Sequence, residues 1–335
     1  MTTMDTKKKE TEWVLQEGRL KYIALLLAGG AVIVVLLQGL LYFISPLQNK
    51  VGNQSSKETA TQEQIDPFAG VSLEARAVYV LDLKTNTVLF EKNSQEKLPL
   101  ASITKTMTAL LARENISQNA VITLSKDDLA TEGDSGLRTG ERWRVGDLLN
   151  VMLIISSNDA AHAIAGFVGG GSQNIERGTP EARAQFIAMM NEKAHTLGFP
   201  QMEFFNESGL DIIDVKNGAP ARSGGYGSAH DVALLFAELW KKYPETVEIT
   251  THKAARIVSQ SDIVHVLPNT NEITGQIPGL IASKTGYTTL AGGNLVVIFD
   301  HGIGDPVVAV VLGSTYKGRF DDMQKIVGAV RTLEL

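Results

Sequence analysis

From Tyr22 to Ile44 the chain reads YIALLLAGGAVIVVLLQGLLYFI, without one charged side chain. As a helix rising 1.5 Å per residue, such a stretch crosses a hydrocarbon core of roughly 30 Å. Residues 22–44 are therefore expected to form a transmembrane signal-anchor helix. Lys7, Lys8, Lys9, Arg19 and Lys21 precede it, and only Lys50 follows nearby. The positive-inside rule then makes residues 1–21 a cytoplasmic tail and carries everything after Ser45 across the cell membrane, giving a single-pass protein with an extracytoplasmic domain. A cleaved signal peptide is the competing reading. Its apolar region runs about 7 to 15 residues and ends in a small-x-small site, and neither feature fits here. Residues 45–70 are rich in Gln, Ser, Thr, Asn and Lys and read as a flexible stalk, which leaves 71–335 as the folded domain.

With 44% apolar and 20% charged residues, the chain can bury a large core. It contains no cysteine, which excludes disulfides, thiolate metal sites and thiol nucleophiles. A net charge of -6, with no basic stripe interleaved with aromatics, argues against nucleic acid. The six histidines, His162, His195, His230, His252, His265 and His301, include no H-E-x-x-H and no i, i+4 pair, so no metal is expected.

Along the domain, ARAVYVLDL and TVLFEK flank Lys84 to Asn86 and predict a β-hairpin. Ser102 to Arg113 has apolar residues at Ile103, Met107, Leu110 and Leu111, which predicts a helix with Ser102 at its N-terminus. Further helices are expected at Val145–Ile155 and Asn158–Phe167. Another is expected at Pro180–Leu197, with Thr179 as N-cap and Gly198 as stop, and one more is opened by Ser228 with Asp231. GNLVVIFD and PVVAVVLG predict a buried antiparallel pair, followed by a last helix over Phe320 to Thr332.

Ser102 and Lys105 form an S-x-x-K pair, whose spacing puts both side chains on one face of a helix, one turn apart. A serine hydroxyl needs a base to become a nucleophile, and a lysine serves only where burial or positive neighbours keep it neutral. Alone, the pair reads more simply as a capping serine with an exposed lysine. Two further elements follow it in order, Ser156-Ser157-Asn158 and Lys284-Thr285-Gly286. Motifs S-x-x-K, S-D-N and K-T-G together mark class A β-lactamases and penicillin-binding proteins.

Over roughly residues 72–335 the chain resembles the serine D-alanyl-D-alanine carboxypeptidases, the low-molecular-mass penicillin-binding proteins. The resemblance is carried by ASITKTMTALL, LLNVMLIISSNDAA, MNEKAHTLGF, NESGLD, GSAHDVALL, Asn269 to Asn271 and SKTGYTTLAGGNLV. It implies an α/β fold of the β-lactamase and transpeptidase-like type: an antiparallel sheet covered by helices, with an all-helical subdomain between the first two motifs. Ser102 would be the acylated nucleophile, Lys105 its base and Ser156 a proton relay, while Asn158 would hold the peptide and Lys105. Lys284 would supply positive field and Thr285 a hydroxyl for the substrate carboxylate, next to Gly286. The backbone N–H groups of Ser102 and Tyr287 would make an oxyanion hole. Arg319, which read alone is a solvated residue at a helix start, would bind the terminal carboxylate. The implied substrate is a peptidoglycan stem peptide ending in D-Ala-D-Ala, with β-lactams as inhibitors and no cofactor.

The sequence departs from the family at Ser157, where glycine is usual, and at NESGLD, where asparagine-proline-histidine is usual. Glu207 in that segment resembles a β-lactamase deacylating glutamate, which makes a β-lactamase the alternative enzyme, though a solvent-facing loop carboxylate is the preferred reading. A non-catalytic muropeptide or β-lactam sensor is the alternative from another class. Gly133-Asp134-Ser135-Gly136 looks like a trypsin-type nucleophile box, but no histidine precedes it, and it is expected as a loop near the mouth of the site. The chain ends soon after its last helix, so the β-rich C-terminal domain of many relatives is expected to be missing, with the N-terminal helix as the anchor.

Overall fold

A computed structural model describes residues 67–171, 175–214 and 218–333. The expected tail, membrane helix and most of the stalk lie outside the described residues. Among the described residues no helix is long and apolar enough to cross a membrane. All of them fall within one compact unit beginning at Gln64. Packing reaches back to Phe68, whose buried ring stacks on Phe90 at 4.6 Å.

The expected hairpin is present as β1 (Ala77–Asp82) and β2 (Thr87–Lys92), and Asn86 takes a positive φ of 58° in its turn. Helix α1 spans Lys105–Asn115, α2 Val145–Ile154, α3 Asn158–Gly169, α4 Pro180–Thr196 and α5 Ala229–Lys242. A second hairpin, β3 (Ala254–Val258) and β4 (Val264–Pro268), precedes three long strands. These are β5 (Leu280–Thr288), β6 (Gly292–Asp300) and β7 (Pro306–Ser314), and α6 (Gly318–Val330) follows them. The predicted caps are in place: Thr179 Oγ1 accepts from Ala182 N at 3.2 Å and Ser228 Oγ from Asp231 N at 3.0 Å.

One sheet, ordered β5-β6-β7-β1-β2 and antiparallel throughout, organises the domain. Both of its faces are buried. Tyr79, Leu81, Val296, Ile298, Val308 and Val310 join the core formed with α1, α2, α3 and α5, while Val78, Val80, Leu295, Val297, Val307 and Val311 pack with Phe320, Met323 and Ile326 of α6. Double burial explains why β6 and β7 read as unbroken apolar runs rather than as alternating patterns.

The region between the first two motifs is not all helical. Val121–Thr123 pairs with Arg142–Arg144, setting buried Ile122 opposite buried Trp143. Three-residue strands are too short to leave a legible period of two, and the charged flanks Arg142 and Arg144 hide the buried tryptophan between them.

Candidate active site

The first helix does not begin at Ser102. Residues Ala101–Thr104 form a 3-10 turn, with Ala101 at φ 47°, and α1 starts at Lys105. No side chain caps this entry, and backbone packing shapes it instead. A Cβ on Gly209 would lie 1.9 Å from the Ala101 carbonyl oxygen, and one on Gly286 would lie 2.8 Å from Leu100 O and 3.2 Å from Ser102 N. The turn bearing Ser102 is therefore clamped between the 206–209 loop and β5, and only glycine permits either approach.

Lys105 is fully buried, with Nζ 2.8 Å from Ser102 Oγ, 2.7 Å from Asn158 Oδ1 and 2.8 Å from the Ser208 carbonyl oxygen. Burial lowers its pKa to about 7, against the opposing pull of Glu207. A neutral lysine has two N–H donors and one lone pair. Asn158 Oδ1 and Ser208 O can only accept, so they take the two protons and leave the lone pair facing the Ser102 hydroxyl. This is the arrangement a general base for that serine requires.

Ser156 sits between α2 and α3 at φ 62°, in the left-handed region. The bend lets Ser157 cap α3, its Oγ accepting from Ala160 N at 3.0 Å, and lets Asn158 begin the helix facing Lys105. Lys284 Nζ, also buried, donates to Ser156 Oγ at 2.9 Å and to the Thr285 carbonyl oxygen at 2.8 Å. Burial first, then the positive charges of Lys105 and Arg319, hold Lys284 well below the ordinary lysine range. The hydroxyls of Thr285 and Thr270 lie 2.6 Å apart, and Thr270 N donates to Ile154 O at 3.0 Å. Thr270 thus ties the third motif to the end of α2, a role the sequence reading missed although it quoted the Asn269 to Asn271 segment.

Arg319 is only 3% exposed, so its isolated reading as a solvated residue is overturned. It donates from Nη1 to the Gly286 carbonyl oxygen at 2.7 Å, and its guanidinium lies 4.5 Å from the centroid of the Tyr316 ring. Tyr287 is exposed beside it, edge-on to Tyr316 at 5.1 Å. The 133–136 loop does border the site: Ser135 Oγ is 2.6 Å from Ser157 Oγ, and Asn158 Nδ2 donates to Glu132 O at 2.7 Å. With Ser156 and Val266 to Pro268, it lines a cleft of about 540 Å³.

The preferred reading of Glu207 is corrected. The residue is 5% exposed, and its Oε1 lies 2.7 Å from His162 Nδ1. Burial alone would raise its pKa, but the hydrogen bond and charge of His162, with Lys105 behind them, hold it below the usual value. A polar segment gives no local sign of this, because its partner comes from α3. Among the described residues no group of three or more histidine, aspartate or glutamate side chains is placed to hold a metal ion.

The family model described as D-alanyl-D-alanine carboxypeptidase matches residues 58–315. A D-alanyl-D-alanine carboxypeptidase of Bacillus subtilis, DacF, is 31% identical over 259 residues, which cover 76% of this chain and 61% of that protein. The chain thus spans under two thirds of that relative's length. The crystal structure of a Mycobacterium tuberculosis D-alanyl-D-alanine carboxypeptidase superposes with a TM-score of 0.67 at 26% identity, covering 79% of this chain and 93% of that one. An ampicillin-bound penicillin-binding protein of Listeria monocytogenes gives 0.63 at 27% identity, covering 77% and 98%.

Proposed function

Because this chain belongs to the D-alanyl-D-alanine carboxypeptidase family, we propose that it removes the terminal D-Ala from peptidoglycan stem peptides ending in D-Ala-D-Ala, through an acyl-enzyme on Ser102. The observation that carries this reading is the buried Lys105 amine, 2.8 Å from Ser102 Oγ, with its other two contacts taken by obligate acceptors.

In the proposed first step Ser102 Oγ attacks the carbonyl carbon of the penultimate D-Ala while its proton passes to Lys105 Nζ. The oxyanion is received by the backbone N–H groups of Ser102 and Tyr287. The tetrahedral intermediate collapses, the C–N bond breaks, and Ser156 Oγ hands a proton to the departing amine while the proton held by Lys105 is returned to Ser156. This leaves Lys105 neutral for the next step and Lys284 as the hydrogen-bond donor that orients Ser156. Water then adds to the ester, its proton returns through Lys105, and Ser102 and the shortened peptide are released. Arg319 and the Thr285 hydroxyl would receive the terminal carboxylate, where a guanidinium offers a planar fork that lysine lacks. A β-lactam presents an amide of similar shape whose leaving group stays tethered, so its acyl-enzyme should persist.

The same reading places the domain outside the cell membrane, with residues 22–44 as the anchor, 1–21 cytoplasmic and the stalk spacing the site from the bilayer. The β-lactamase alternative gains no support, since the Glu207 carboxylate is taken up by His162. The test is release of free D-Ala from a defined stem pentapeptide, with Ser102→Ala as control. Release that is lost in the variant supports the reading, and no release by the unaltered chain contradicts it.

A further inference from the structure

Two layers of contacts, one helical turn apart, join α1, α3 and the 206–209 loop. In the first, Lys105 of α1 meets Asn158 of α3 and the Ser208 carbonyl of the loop. In the second, Thr108 of α1 donates to the Glu207 carbonyl oxygen at 2.7 Å, and His162 of α3 meets the Glu207 carboxylate at 2.7 Å. Lys105 and Thr108 are three apart on one helix, and Asn158 and His162 are four apart on the other, so each layer stacks on the next. The second layer touches neither Ser102 nor the substrate cleft. The reaction proposed above makes no use of it.

We propose that Glu207 and His162 are a positioning pair: they pin the 206–209 loop between α1 and α3, and so hold the Ser208 carbonyl and Asn158 on Lys105. This rests on the reading that Lys105 activates Ser102. The Asn206 side chain braces the same loop from inside, its Oδ1 accepting from Gly209 N at 2.7 Å. Without the outer pair, nothing else from α3 holds the carboxylate side of residue 207 among the described contacts.

The pair also bears on the charge at Lys105. The charged groups facing its amine are Glu207 from the loop with His162 of α3 behind it, Lys284 from β5, and Arg319 of α6 beyond Lys284. Asp159, on α3, is engaged by the Thr131 hydroxyl instead. Glu207 is the negative member of this set. Its carboxylate favours the ammonium form of Lys105, so removing that charge should make the amine easier to deprotonate.

The test is the pH dependence of acylation by a fluorescent penicillin, measured on the full chain for the unaltered protein, Glu207→Gln, His162→Leu and the double variant. Acylation should fall off below pH about 7 in the unaltered chain. In Glu207→Gln the midpoint should move down by about half a unit or more, and the plateau rate should drop as the loop loosens. His162→Leu should move it the same way, because burial without its donor drives the Glu207 carboxyl toward the neutral acid. The double variant should match Glu207→Gln rather than the sum of the two. A lowered plateau with an unmoved midpoint would mean a merely structural role and overturn the proposal. So would normal acylation with blocked release in Glu207→Gln, which would make Glu207 a hydrolytic base. If Glu207→Gln does not fold, an unmoved midpoint in His162→Leu overturns the proposal equally. Failure of the unaltered chain to acylate at any pH would instead remove the underlying reading.

Discussion

Lys284 Nζ donates to Ser156 Oγ at 2.9 Å, so the second and third motifs meet through their side chains across 128 positions of sequence. The Ser156 hydroxyl therefore has a buried lysine amine as its hydrogen-bond donor. Because Ser156 has φ 62°, glycine fits its backbone better than serine does. Ser156→Gly should then leave the melting temperature unchanged or slightly higher, while D-Ala release falls by roughly a hundredfold through loss of the proposed proton relay. Thermal unfolding and product analysis on the same sample check both halves.

Acylation should depend on Lys105 being neutral. Burial sets its pKa at about 7, so the base form prevails above that pH and the ammonium below it. Rates of penicillin acylation should rise through pH 7 and level off on the alkaline side. Lys105→Ala should lose about a thousandfold and show no such limb.

Gly286→Ala should strike the nucleophile rather than the fold. Its new Cβ would lie 2.8 Å from Leu100 O and 3.2 Å from Ser102 N, both backbone atoms, so the turn carrying Ser102 must shift. A displacement of an ångström at the reacting atom costs about a hundredfold in rate. Acylation kinetics should show that loss while the circular dichroism spectrum stays unchanged.

Asp322 ties α6 to the start of the domain. Its carboxylate accepts from Glu74 N at 3.0 Å, Ala75 N at 2.8 Å and Ser314 Oγ at 2.9 Å, and the side chain is fully buried. Asp322→Ala leaves these donors without a partner and should cost about 3 kcal/mol by urea unfolding.

Much of this was legible before the structure. Periodicity marked the hairpin, the two apolar strands and the capped helices, because Thr179, Ser228 and Gly198 signal locally. The pairing of Ser102 with Lys105 followed from helical spacing. Three features had no such signal. Ala101 and Ser156 take positive φ without being glycine, so the turn at Ser102 and the bend at the second motif arise from packing alone. The three-residue strands around Ile122 and Trp143 fall below any period. Glu207 sits in a polar loop, and its burial depends on His162, 45 positions away in sequence.

The central claim is that Ser102, activated by Lys105, forms a covalent acyl-enzyme. Time-resolved mass spectrometry of the full chain with excess benzylpenicillin tests it most directly, with Ser102→Ala alongside. The account predicts a mass increase equal to one penicillin that persists for many turnovers' worth of time and is absent from the variant. No adduct on the unaltered chain, an adduct that survives Ser102→Ala, or rapid conversion of penicillin to its hydrolysed acid would contradict it.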